Sequence, residues 1–220
     1  MKLLGEPPEE RKVKPKEISQ IEQGDFKQGR LVLNVTAPRI DWTYTVKIQE
    51  KEPPDFSHGV PSMGPFDECL SDFLVVMNTW LMEMSPTIGR LAFGAVLSQA
   101  VQSHVAGYKL LQSYLPAVKV DPDNSFDFNY QINRPRNSQL GINDLRVNRL
   151  CKWNVITAQA HLFTSGKSVV KDIDIYSARL ELDINTHQSY SDELPHEALV
   201  RLLSELVDLG KEIAEKGDVP

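Results

Sequence analysis

The chain has 220 residues, 41% of them apolar and 25% charged, which places it with folded globular proteins and excludes a disordered polar chain. A net charge of −6 and a pI near 5.4 exclude a surface that attracts nucleic acid or anionic lipid as a whole. Its strongest apolar run, Phe73 to Met77, stops at Asn78, far short of the ~20 residues of a membrane helix.

Residues 1–29 mix Pro, Lys and Glu with little apolar periodicity and are expected to form a charged N-terminal arm or tail. The opening MKLLGEPPEERKVKPKE lacks the continuous apolar stretch of a secretory signal, so a cytoplasmic location is expected. Cys69 and Cys151 stand in no CxxC pair and no metal spacing, and two reduced, buried thiols are expected.

A single domain is expected over 30–220. In RLVLNVTAPRIDWTYTVKI, Leu31, Leu33 and Val35 take odd positions, whereas Ile40, Trp42, Tyr44 and Val46 take even ones. Alternation of period two predicts half-buried strands, and the parity flip at Ala37-Pro38 predicts a bend or hairpin corner. The Pro-rich stretch 50–65 reads as a loop. FDECLSDFLVVMNTWLM, 66–82, then repeats apolar residues at three-four spacing with Asp67 and Glu68 in the first turn, which predicts a helix stopped by Pro86.

GRLAFGAVLSQAV, 89–101, is expected to be a central strand with something packed closely over Gly94. A second helix is predicted over 103–115, ended by Pro116. FDFNYQIN, 126–133, alternates with Phe126, Phe128, Tyr130 and Ile132 inward. Residues 145–163 and 168–185 predict a long antiparallel hairpin turning at TSGK, with a bulge near 176–178 where the apolar parity switches. Leu199, Leu202, Leu203, Leu206, Leu209 and Ile213 form one stripe of a closing helix stopped at Gly217. The fold class is therefore α+β: one largely antiparallel sheet with about three helices packed mainly on one face.

The strand ending Y-x-I-N-R at 130–134, LELDINT at 180–186 and the leucine-rich last helix resemble a large, sporadically distributed family of uncharacterised bacterial proteins. There an R-Y-I-N-R-like strand and an L-D-I-D or L-D-I-N strand precede a terminal helix. The resemblance covers the C-terminal half and departs from the pattern at Gln131. It implies the order of elements, no established activity, and by association a mobile or defence-linked setting.

The most unusual composition lies between Arg134 and Lys152. Arg134, Arg136, Arg146, Arg149 and Lys152 stand there against a single acid, Asp144, and Asn133-Arg134 is echoed by Asn148-Arg149. Guanidinium forks suit carboxylate or phosphate, so these five are the candidate partner-binding residues. The competing expectation is that Asn133 and Asn148 cap turns while the arginines pair with Asp127, Asp144, Asp172 or Asp174. Asp172 and Asp174, with Glu181 and Asp183, are the candidate acids for a metal-dependent nuclease or hydrolase, with Lys171 and Arg179 as basic helpers, although alternation on any half-exposed strand yields D-x-D. The five histidines make no i, i+4 pair, and no nucleophile elbow or phosphate loop is present; TSGKS, 164–168, lacks the first glycine and reads as a turn. Strand aromatics fit a core face better than a base-stacking platform.

The expectation is a non-enzymatic subunit or adaptor that binds a protein partner, or a second copy, through the 134–152 segment, a sheet edge or the N-terminal arm. No cofactor and no metal is assigned. Metal-dependent hydrolysis and nucleic-acid-backbone binding through the arginines are the alternatives.

Overall fold

A computed structural model describes residues 7–14, 19–47, 60–84, 86–162 and 171–218, without the side chains of 160–162 and 171–173. The fold is α+β, with two antiparallel sheets and three helices. The chain divides into two compact units, residues 1–55 with 61–84 and residues 56–60 with 85–220.

The first unit carries strands β1 (Glu10–Lys14), β2 (Ser19–Phe26), β3 (Gly29–Thr36) and β4 (Arg39–Val46) in spatial order β1-β2-β3-β4, and helix α1 (Phe66–Glu83). The predicted corner is a hairpin: Thr36 pairs with Arg39 across Ala37-Pro38, and Leu31, Leu33 and Val35 face Tyr44, Trp42 and Ile40. That shared face meets α1. Trp42 packs edge-on against Trp80 at 5.9 Å, Tyr44 stacks on Phe73 at 6.4 Å, and Leu31, Leu70, Met77 and Leu81 are buried.

The second unit has sheet order β5-β9-β8-β6, from β5 (Ala92–Val101), β6 (Asn129–Asn133), β8 (Arg146–Leu162) and β9 (Lys171–Thr186); the two-residue β7 (Arg136–Asn137) pairs with the start of β8. Helices α2 (His104–Tyr114) and α3 (Leu199–Lys216) cover one face. The Ser103 hydroxyl caps α2 by accepting from the Ala106 N–H at 3.2 Å. Phe93, Leu180, Leu182, Ile184, Cys151 and Trp153 form the buried side of the sheet. Tyr114 stacks on Trp153 at 5.4 Å. Gly210 of α3 lies against Phe93: a Cβ there would sit 2.9 Å from the ring, so its hydrogen lets the helix approach the sheet. The leucine stripe predicted for the last helix is the buried face of α3.

Several expectations are corrected. The segment expected to be an arm contributes β1 and β2, because alternation through Gln20, Glu22 and Gly24 matches the register of β3. β5 is not central. Among the described residues it pairs only with β9 and forms a sheet edge, and only the Leu182 carbonyl would meet a Cβ at Gly94. No bulge interrupts β9, since its pairing with β8 keeps one register from Val147–Thr186 to Leu162–Lys171. The parity switch arises because Ile175 and Ser177 are buried on one face and Ala178 and Leu180 on the other. The strand of 126–133 begins only at Asn129. Asp127 takes φ +54°, and Phe126, 77% exposed, turns out to stack on His104. The TSGK turn and most of the 50–65 loop lie outside the described residues.

Candidate functional site

The duplicated Asn-Arg resolves into two systems on opposite faces of one sheet. Successive residues of a strand point to opposite sides, so each Asn lies away from its Arg. On the face away from the helices the amides form a ladder across β6, β8 and β9. Asn133 Nδ2 donates to Asn148 Oδ1 at 3.0 Å, and Asn148 Nδ2 donates to Asn185 Oδ1 at 3.0 Å. Asn185 Nδ2 donates to Asp183 Oδ1 at 2.7 Å, while Arg90 Nη2 donates to Asn185 Oδ1 at 3.0 Å. Asn133 Oδ1 also accepts the backbone N–H of Arg149 at 2.9 Å. The three strands carrying the motif-like sequences are therefore bonded through their asparagines, which bridge strands rather than cap turns.

On the helix-covered face Arg134 and Arg149 meet the end of α3. Arg134 grips Asp218 at two points, Nε to Oδ1 at 2.6 Å and Nη2 to Oδ2 at 2.8 Å, and the Tyr130 hydroxyl donates to Oδ2 at 2.7 Å. The Asp218 side chain is 3% exposed. The hydrogen bonds from Arg134 hold its carboxyl below the usual range, against the opposing effect of burial, and the same bonds raise the Arg134 guanidinium. Burial, then the hydrogen bond to Asp218, pushes the Tyr130 phenol up. Glu212 accepts from Arg136 Nη1 and Arg149 Nη2, each at 3.2 Å, with Lys216 Nζ at 3.7 Å from its other oxygen. Arg149 is 1% exposed; burial lowers its pKa, the nearby charge of Arg136 adds to this, and a guanidinium still stays charged. Cations beneath the carbonyl end of a helix also suit its dipole.

Gly217 makes this geometry possible. Its φ of +81° ends α3, and a Cβ would lie 2.1 Å from the Tyr114 carbonyl oxygen, which instead accepts the Asp218 N–H at 2.9 Å. The chain thereby folds back under α2 and delivers Asp218 to Arg134.

The basic segment does not converge as a patch. Arg134, Arg136 and Arg149 gather at α3, whereas Arg146 and Lys152 belong to the other face. Lys152 pairs with Glu181 at 3.5 Å, and Glu181 with Arg179 at 3.2 Å. Acids that engage Arg134, Arg136 and Arg149 include Glu212 and Asp218, neither of which is among the expected Asp127, Asp144, Asp172 and Asp174. These two acids were missed by the sequence reading, although an acid directly after the helix-ending Gly217 was a usable signal.

The described candidate metal acids do not assemble either. Asp174 stands on the opposite face of β9 from Glu181 and Asp183, about seven residues or roughly 23 Å along the strand from Glu181. It accepts from Gln159 at 3.1 Å. The side chains of Asp172 and Lys171 lie outside the described residues, among which no group of His, Cys, Asp and Glu could hold a metal ion. Cys69 and Cys151 are free and buried, and burial raises the Cys151 thiol, which keeps it protonated. No helix among the described residues is long and apolar enough to cross a membrane.

Among the described residues the outer edge of β5 is one of four unpaired sheet edges, and it is the longest of them. AFGAVLSQAV has ten residues, no charge and no proline, and Val96 is 62% exposed. Comparison with known proteins returns no match to a family model, a curated sequence or a solved structure.

Proposed function

We propose that this chain is a non-enzymatic binding subunit or adaptor that recognises a protein partner by adding a strand to the β5 edge. The observation that carries the reading is the contrast between that edge and the charged candidates whose side-chain partners are described. Arg134, Arg136 and Arg149 engage Asp218 and Glu212, Glu181 pairs with Lys152 and Arg179, and Asp174 and Asp183 accept from Gln159 and Asn185. β5 instead presents a long uncharged row of backbone donors and acceptors, the template that strand addition uses. Of the three routes foreseen from sequence, the basic segment has Arg134, Arg136 and Arg149 turned to α3 and part of the arm is folded into a sheet, which favours the edge.

The test is capture of partners by the tagged chain from its native cells, comparing Val96→Lys with Arg146→Ala/Lys152→Ala. A lysine on an exposed edge residue blocks strand addition without touching the core. The reading expects partner recovery to fall at least tenfold in Val96→Lys and to persist in the double variant. Recovery unchanged by Val96→Lys, or abolished by the double variant, contradicts it.

A further inference from the structure

We infer that the strand added at β5 belongs to a second copy of this chain, paired antiparallel about Val96 so that two sheets of the second unit become one. The inference rests on reading β5 as a docking edge and adds the identity of its occupant.

The four sheet edges are unequal. β1 reads ERKVK, with four charged residues in five; β4 carries Arg39 and Asp41; β6 has five residues and is followed by Pro135. Charge, shortness and proline are the usual protections against edge-to-edge pairing. β5 has none of them over ten residues. Among the described residues each chain thus owns one unguarded edge. Two such edges meeting about a twofold axis use each other up, so assembly closes at two and leaves no end for a filament.

The ladder fixes which groups are available. Leu91 accepts from the Thr186 N–H at 2.9 Å, which makes that pair hydrogen-bonded, and the register continues as Ala92–Asn185 and Phe93–Ile184. In an antiparallel ladder the bonded residues alternate, so Ala92, Gly94, Val96, Ser98 and Ala100 turn their N–H and C=O groups outward. Their side chains share the face away from the helices. Pairing Val96 with its own copy sets Gly94 opposite Ser98 and Ala92 opposite Ala100 on that face. It sets Ala95 opposite Leu97 and Phe93 opposite Gln99 on the helix side. All five outward residues then find partners, giving about ten backbone bonds across the axis. No two like charges meet, because the strand has none. The exposed Val96 side chain packs against its twin, and small residues flank the contact on that face.

The experiment is sedimentation of the full chain at about 100 μM, with Val96→Lys, Val96→Cys and Ser98→Cys variants. The expected result is a dimer that Val96→Lys converts to monomer with an unchanged far-ultraviolet spectrum. Mild oxidation should cross-link Val96→Cys, since a hydrogen-bonded pair sets Cα atoms ~5.5 Å apart, within disulfide reach. It should not cross-link Ser98→Cys, whose copies would be about four residues, or ~13 Å, apart. A wild-type monomer overturns the inference, and so does a dimer indifferent to Val96→Lys. Cross-linking of Ser98→Cys in preference to Val96→Cys overturns the register. If the wild type is monomeric yet Val96→Lys still abolishes partner capture, the occupant alone is wrong; if capture also persists, the docking edge falls with it.

Discussion

Arg134 holds the buried carboxylate of Asp218 at two points, 2.6 and 2.8 Å, across 84 residues of sequence. Removing one partner of such a pair leaves the other without its main compensation. Arg134→Ala is expected to destabilise the second unit by about 2–3 kcal/mol, less than the 3–5 kcal/mol of a fully enclosed pair because Arg134 is about one-third exposed. Arg134→Lys restores the charge but not the planar fork and should recover only part of the loss. Urea unfolding, read by amide exchange in β6 and β8 to keep the two units apart, measures both.

The Asp218 carboxyl titrates below its ordinary value because Arg134 donates to it. Its folded pKa is lower than its unfolded one, so its contribution is complete above the unfolded value of about 3.9 and is lost as pH falls through the folded value. Asp218→Asn should lower stability at pH 7 and flatten its decline below about pH 4 relative to the wild type. An unchanged acid limb in the variant would count against the pairing.

Gly217→Ala adds a methyl that would lie 2.1 Å from the Tyr114 carbonyl and occupies a φ of +81°. We expect a loss of at least about 2 kcal/mol from strain and displacement of Asp218. A thermal scan showing no change would mean that the α3 terminus does not dock as described.

Arg149 and Lys152 lie three residues apart and should respond very unequally. Arg149→Ala removes a 1%-exposed side chain and strips Glu212 of a donor, with an expected cost of about 3 kcal/mol or more. Lys152→Ala breaks a pair whose members are each about one-third exposed, and should cost no more than about 0.5 kcal/mol. Equal effects in chemical denaturation would refute the separation of the two faces.

Much of this fold was legible in the sequence because burial imposes periods. The parity flip at Ala37-Pro38, the three-four spacing of 66–82 and the leucine stripe ending at Gly217 each report which side chains meet a core, and each element is present. Strand order was not legible. β5 alternates as a central strand would, but alternation reports faces, not neighbours, and its lack of charge imitates burial. β1 and β2 were hidden because Glu22 and Glu10 occupy strand positions that polarity alone assigns to a tail. At the candidate site the sequence singled out Asn133, Arg134, Asn148 and Arg149, whose amides and guanidiniums the structure places on opposite faces of one sheet. Their partners were hidden by distance along the chain, since Asp218 and Glu212 reach them only through the docking of α3.

The central claim is that the arginines of the 134–149 segment that meet α3 brace it from within. A double-mutant cycle with Arg134→Ala and Asp218→Ala measures this most directly. A coupling of about 2 kcal/mol or more is predicted for a shielded, two-point ion pair. A coupling within about 0.3 kcal/mol of zero, as for residues that do not touch, would contradict the brace and return Arg134 to the surface as a free binding group.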